Sequence, residues 1–257
     1  MPSVITEEQH GIFIITINRP EKMNCIDEHT GQLLKQAWLM FRDSDHLLVA
    51  IITGSGTQSF CSGADLKNVL NLIEEQKVPD SVTPSGDGFL GYTRGCDIYK
   101  PILAAINGYA LAGGLELACF ADIRVAERHA KFGVSNRRWG VPLIDGGTQR
   151  LPRIIGLGRA MDLILTAKTI DVNEAYRIGL VNEIVDESQA LSRCIEIAKQ
   201  LIEFPYDGMR YDKESVYRGI GESLENGLKI EAEIGFRTLA TASTHKGIRL
   251  FEKKKMQ

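Results

Sequence analysis

The clearest apolar run in the chain is Ile12-Phe13-Ile14-Ile15-Thr16-Ile17, which stops at Asn18-Arg19-Pro20 and predicts a buried strand followed by a turn. From residue 27 to 41, Leu33, Leu34, Ala37, Trp38 and Phe41 recur near helical spacing, behind Asp27 placed to cap the start. Residues 47–53 form a second strand-like run, ended by Gly54-Ser55-Gly56, and residues 102–106 a third. A fourth, residues 122–126, follows a short helix beginning near Gly113. Strands alternating with helices predict an α/β architecture with crossover connections. Between Lys67 and Tyr99 the pattern dissolves, interrupted by Pro79, Pro84, Gly86, Gly88, Gly91 and Gly95. So long a stretch is either a surface excursion or a functional loop. Beyond Pro152 the periodicity is helical again, over residues 158–165, 172–178 and 188–204. Residues 209–255 are polar and amphipathic, as expected of helices docked on another element or another subunit.

With 257 residues, 44% of them hydrophobic, the chain is long enough to bury a large core without disulfides or metals. A net charge of −3, with no basic, aromatic-bearing stripe, argues against nucleic-acid and membrane-surface partners. An anionic ligand must then meet local basic residues or backbone N–H groups. Cys25, Cys61, Cys96, Cys119 and Cys194 are widely spaced and form no CxxC or Cys/His cluster, which predicts reduced thiols, no metal site and a cytoplasmic protein. The first ten residues are acidic and polar and lack the apolar core of a signal peptide. The longest apolar stretch, residues 102–117, is broken by Asn107 and several glycines and is no transmembrane segment.

Two glycine-rich turns each join a strand to a helix: Phe60-Cys61-Ser62-Gly63-Ala64-Asp65-Leu66-Lys67, and Asn107-Gly108-Tyr109-Ala110-Leu111-Ala112-Gly113-Gly114-Leu115-Glu116-Leu117. Glycine lets backbone approach a ligand closely, and N–H groups in a first helical turn have no intrahelical partner. Two such N–H groups from separate turns can converge on one developing oxygen anion. Either turn alone reads equally well as chain reversal, and neither has the GK[ST] of a P-loop or a dinucleotide GxGxxG. Glu116 stands among Leu115, Leu117, Ala118 and Phe120, where an unpaired carboxylate is costly.

Taken together with Asn18-Arg19-Pro20-Glu21-Lys22-Met23-Asn24-Cys25, Ala121-Asp122-Ile123-Arg124-Val125, Gly146-Gly147-Thr148-Gln149-Arg150-Leu151, residues 175–181 and Phe251-Glu252-Lys253-Lys254, these turns resemble the crotonase (enoyl-CoA hydratase/isomerase) superfamily from end to end. The resemblance implies a spiral of ββα units in an acyl-CoA-binding core, residues 1–200. It also implies a C-terminal helical trimerisation region, residues 201–257, that assembles as a homotrimer or a dimer of trimers. It implies an acyl-CoA thioester substrate whose carbonyl sits between the N–H groups of Ala64 and Gly113, and no cofactor beyond the coenzyme A that the substrate carries. Lys22, Met23 and Cys25, with Ala64, Asp65, Leu66, Lys67 and Gly113, would line the coenzyme A moiety. Lys67 and the cluster Lys253-Lys254-Lys255 would meet its phosphates, although the terminal lysines also read as a solvated tail.

By the same resemblance Glu116 is the glutamate that activates the added water, and reversible hydration of a 2-enoyl-CoA is the leading reaction. Double-bond isomerisation, other enolate chemistry and non-catalytic acyl-CoA binding are the alternatives. The family's Phe-Gly-x-Pro-Glu pattern is broken here. Phe132-Gly133-Val134-Ser135-Asn136 puts an asparagine, incapable of proton transfer, where the second catalytic glutamate belongs. Asp145 lies nearby and is a candidate replacement; it equally fits a turn residue before Gly146-Gly147. Arg137 and Arg138 are placed to bind an acidic acyl group or to pair with Asp145 and Glu116, and Trp139 to line the acyl pocket or pack in the core. The resemblance fixes neither the acyl group nor the pathway.

Overall fold

The computed structural model describes residues 1–77 and 79–255. The acidic first ten residues supply an edge strand, β1 (Val4–Gln9), paired antiparallel with β2 (Ile12–Ile17). A strand half exposed at a sheet edge needs no apolar run, so its sequence carried little signal. Helix α1 (Glu28–Asp43) follows, with the Asp27 carboxylate accepting from Thr30 N as its cap. Then come β3 (Val49–Gly54), β4 (Ser59–Cys61) and α2 (Leu66–Glu74); β5 (Ile102–Ile106), β6 (Tyr109–Leu111) and α3 (Gly113–Phe120); and β7 (Ile123–Glu127), β8 (Lys131–Gly133) and α4 (Gly147–Ile155). Each trio is a ββα unit. Its first strand enters a six-stranded sheet of order β1-β2-β3-β5-β7-β10, and its second a four-stranded sheet of order β4-β6-β8-β9. The chain thus winds as the expected spiral. Outside those trios lie α5 (Leu157–Thr166), β9 (Thr169–Asp171), α6 (Val172–Arg177), β10 (Glu183–Val185) and α7 (Ala190–Glu203).

The larger sheet is parallel except for β1 and is covered on both faces, which explains the unbroken apolar runs of β2, β3 and β5. Phe13, Ile15 and Ile17 face the main core with Trp38, Phe41, Phe60 and Phe132. Ile12, Ile14, Val49, Ile51 and Leu103 face the other way, onto Ala190, Cys194 and Ala198 of α7. Helices α8 (Tyr206–Gly219), α9 (Leu224–Leu239) and α10 (Ala242–Lys255) close the chain. The first is fastened to the sheet by Tyr206 Oη donating to Leu48 O and by Lys213 Nζ donating to Lys100 O and to Asp122.

The irregular stretch 67–99 is built rather than a loose surface excursion over its second half. After a 3-10 turn at Asp80–Val82 the chain returns inward, and Phe89, Leu90, Tyr92 and Thr93 are buried. The reversal runs through positive φ at Gly88, Gly91 and Tyr92. A Cβ on Gly91 would lie 2.6 Å from Gly31 O, so the loop sits directly on α1.

Lys100, 6% exposed, holds the end of α1 in place. Its ammonium donates to the carbonyls of Phe41 (2.8 Å), Ser44 (2.6 Å) and Leu47 (2.9 Å). Lys100→Met removes three donors from buried carbonyls and is expected to destabilise the fold by about 3 kcal/mol. The check is the urea midpoint, with the slope unchanged.

Candidate active site

The two glycine-rich turns meet because β4 and β6 lie side by side and parallel, with Ser59 opposite Tyr109 and Cys61 opposite Ala110. Their contact leaves no room for side chains. A Cβ on Gly63 would lie 2.8 Å from Gly113 N, and one on Gly114 only 1.9 Å from Cys61 O. Gly63 also takes φ +94°, which favours glycine. Ala112, at φ +52° and ψ −122°, is a strained alanine that turns the chain sharply into α3.

Several neighbouring backbone N–H groups are consumed. Ile26 N donates to Gly63 O at 2.8 Å, Asp65 N to Ile26 O at 2.7 Å, and Ala112 N to Gly133 O at 2.8 Å. The N–H groups of Ala64 and Gly113 have no acceptor among the described residues, and both residues line the same cavity. That pair is an oxyanion hole in form.

The cavity measures about 580 Å³. Leu66, Val69, Leu72 and Ile73 of α2 make one wall, Phe89 and Leu90 of the inward loop another, and Val141, Pro142 and Ile144 a third. Trp139 stands at the mouth, 71% exposed, so it is no core residue. The ionisable groups lining the cavity are Glu116 and Asp145.

Every residue of α3 is buried, which places Glu116 inside the protein at 3% exposure. Its Oε1 accepts from Asp145 N (2.9 Å) and Gly147 N (2.8 Å), the latter at the start of α4. Gly147 is needed there, since a Cβ would come within 2.7 Å of Glu116 Cγ. Burial, and then the Asp145 carboxylate, push the Glu116 carboxyl up to about 7 despite those two donors. Asp145, 2% exposed, is also raised by burial. Its Oδ1 accepts from Leu90 N (3.0 Å) and Thr93 Oγ1 (2.5 Å). Each carboxylate therefore has one oxygen pinned by two donors and the other, Oε2 or Oδ2, without a protein partner among the described residues. Nothing in the local pattern marks Leu90 or Thr93 as neighbours of the site; the glycine density of that loop is the one hint of a built turn.

Asn136 lines the same cavity but is occupied structurally, its Nδ2 donating to Val141 O at 2.8 Å. Arg137 and Arg138 do not pair with Asp145 or Glu116. They donate to the carbonyls of Val141 and Ala167 and stay outside the cavity. Arg94 and Arg150 are the cations near Asp145 instead. Of the other sequence candidates, Leu66 lines the cavity, whereas Lys22, Met23, Cys25, Asp65 and Lys67 do not. Their segment runs alongside it: Ser62 N donates to Met23 O, and Lys22 Nζ lies 3.5 Å from Asp65, which also pairs with Arg19. Burial pushes the thiols of Cys25 and Cys61 up to about 11 and about 12, which removes them as nucleophiles near neutral pH. On α10, Lys253 joins His245, Lys246 and Arg249 around a second hollow; the side chains of Lys254 and Lys255 lie outside the described residues.

The raised Glu116 carboxyl makes a signed stability prediction. With the folded value near 7 and the unfolded one near 4.5, the folded state binds the proton more tightly. The penalty is absent below the unfolded value, grows as pH rises, and is complete above the folded one. Glu116→Gln is expected to stabilise the fold at pH 8 by roughly 1–3 kcal/mol. That gain should fade towards pH 4.5, read as thermal midpoints across that range.

Residues 7–257 match the family model described as enoyl-CoA hydratase/isomerase. The short-chain-enoyl-CoA hydratase of Clostridium acetobutylicum is 33% identical over 261 residues, spanning 99% of this chain and 97% of that protein. The carnitinyl-CoA dehydratase of Salmonella arizonae is 40% identical over 192 residues, 75% of this chain and 71% of its own length. Among solved structures, an enoyl-CoA hydratase of Mycobacterium marinum superposes with a TM-score of 0.90 at 32% identity, covering 99% of this chain and 97% of that one. The spiral of ββα units, the paired glycine turns and these likenesses agree: the chain belongs to the enoyl-CoA hydratase/isomerase family, with the crotonase fold.

Proposed function

We propose that the protein is an enoyl-CoA hydratase that adds water reversibly across the double bond of a 2-enoyl-CoA. The observation carrying this reading is the pair of buried, half-pinned carboxylates beside two unpaired backbone N–H groups. The thioester oxygen accepts from Ala64 N–H and Gly113 N–H, which stabilise the enolate as it forms; one such donor is typically worth about 3–4 kcal/mol. Glu116 Oε2 takes a proton from the water that attacks the β-carbon. Asp145, in place of the glutamate lost at Asn136, delivers its proton to the α-carbon. One turnover thus moves a hydroxyl to one carbon and a proton to the other, leaving Glu116 protonated and Asp145 ionised. Burial raises both carboxyls, which supports a part for each in proton transfer.

The apolar walls, with no Lys, Arg or His among the described residues that line the cavity, support an uncharged, hydrophobic acyl group over an acidic one. The coenzyme A moiety then runs past Ala64 and Leu66 towards Lys22, Met23, Cys25, Asp65 and Lys67, and no separate cofactor is required. We further propose residues 1–200 as the catalytic core and residues 201–257 as the assembly region of a trimer or dimer of trimers. Exposed Leu224, Leu228, Phe236 and Leu239 on α9 support that assignment. Five unpaired thiols support a cytoplasmic enzyme. A protein that only bound acyl-CoA would gain nothing from two buried carboxylates that cost it stability.

Loss of enoyl-thioester absorbance with crotonyl-CoA and longer enoyl-CoAs tests the reaction. Glu116→Gln is expected to lower hydration at least about 10²-fold while leaving deuterium exchange at the α-carbon of a saturated acyl-CoA in place. Asp145→Asn is expected to abolish both. Double-bond migration without hydration would replace the reading with an isomerase, and tight acyl-CoA binding without either would replace it with a binding protein.

A further inference from the structure

The stretch between α2 and β5 contributes more than an apolar wall. Residues 87–94 turn inward so that two consecutive elements of the loop reach one carboxylate oxygen: Leu90 N at 3.0 Å and Thr93 Oγ1 at 2.5 Å from Asp145 Oδ1. Thr93 is fully buried, and its hydroxyl makes no other hydrogen bond. The loop is locked around this contact. Gly88 takes φ +104°, and a Cβ there would lie 2.2 Å from Thr93 Oγ1 and 2.5 Å from Asp145 Oδ1. Tyr92, held at φ +61°, is anchored by its hydroxyl donating to Asp97 (2.6 Å) and accepting from Arg42 (2.8 Å). Arg94 ties the following residue to the other side by donating to Ile144 O at 2.7 Å, next to Asp145 itself. A strained, glycine-dependent turn thus delivers one hydroxyl to one buried carboxylate oxygen and leaves the other oxygen to the cavity.

We infer that Thr93 is a positioning residue, which fixes the Asp145 carboxylate so that Oδ2 faces the α-carbon of the acyl group. The inference rests on Asp145 being the second proton-handling group of the proposed reaction. A carboxylate held only by Leu90 N can rotate about its Cβ–Cγ bond, and its productive orientation becomes one of several. The donor also favours the ionised form over the acid. The charged and titratable groups facing Asp145 are Glu116, Arg94, Arg150 and the Cys61 thiol, and a Thr93→Val substitution leaves all of them in place.

The test is deuterium exchange at the α-carbon of butyryl-CoA, followed by proton NMR across pH, which reports enolate formation without requiring hydration. Thr93→Val keeps shape and removes the hydroxyl. It is expected to lower kcat for exchange about tenfold, with KM changed less than about twofold. Abstraction needs ionised Asp145, so losing a donor to the carboxylate moves the acidic limb of the rate profile to higher pH. Thr93→Ser restores both. Thr93→Ala serves as a second hydroxyl-free variant should the valine fold poorly, with urea midpoints recorded for all. If Thr93→Val and Thr93→Ala exchange like the wild type while Asp145→Asn is inactive, Thr93 has no positioning role. Equal losses in the serine and valine variants with an unmoved acidic limb reduce it to packing, which also overturns the inference. Exchange retained in Asp145→Asn removes the assignment of Asp145 and the inference with it.

Discussion

The site depends on an approach between two stretches of backbone that only glycine permits. The two N–H groups that face one cavity here, those of Ala64 and Gly113, come from different turns of the chain, so the turns themselves must be held together. The parallel pairing of β4 and β6 brings the turns after those strands together, and Gly63, Gly113 and Gly114 let them close to contact. Hydrogen bonds consume the neighbouring N–H groups of Asp65 and Ala112 and leave those of Ala64 and Gly113 without an acceptor among the described residues. The spiral of ββα units is the scaffold that makes this pairing: each turn of the chain sends one strand to the small sheet and ends it beside the previous one.

Around that hole the protein accepts electrostatic cost. Glu116 and Asp145 are both buried, and neither has an ion-pair partner in direct contact among the described residues. Backbone N–H groups and one hydroxyl hold them, which orients the carboxylates without neutralising them. A salt bridge would have stabilised the ionised form and left less of the acid available to donate a proton near neutral pH. Elsewhere in the fold the opposite solution appears: Arg19 bridges Asp27 (3.0 Å) and Asp65 (3.3 Å), holding the turn before α1 against the start of α2. Ion pairs serve the frame, whereas hydrogen-bonded, unpaired carboxylates serve the cavity.

The segments that contribute these donors are far apart in the chain. Glu116 takes one from Gly147, Asp145 takes one from Leu90, and Gly63 accepts one from Ile26. The cavity is the place where three consecutive units of the spiral expose their strand-to-helix connections, which is why a change in one loop can reorganise a side chain carried by another.

Much of the frame was legible in the sequence. Two-faced burial forces unbroken apolar runs, so β2, β3 and β5 announce themselves, and Asp27 marks the start of α1. Glycine spacing around Gly63 and Gly113 reported backbone geometry directly, because no other residue tolerates those contacts. The burial of Glu116 was foreshadowed by its apolar neighbours. Other features had no local signature. The edge strand β1 and the short strands β4, β6, β8 and β9 are defined by their partners, and a three-residue strand has too few positions to show a period. That Arg137 and Arg138 turn away from the cavity, and that Thr93 turns onto Asp145, follows from loop paths set by long-range packing. The sequence alone determined which groups this protein owns and where its backbone must bend. Tertiary structure decided which of those groups face one another, because hydrogen bonds between residues 29 to 55 positions apart leave no trace in spacing or periodicity.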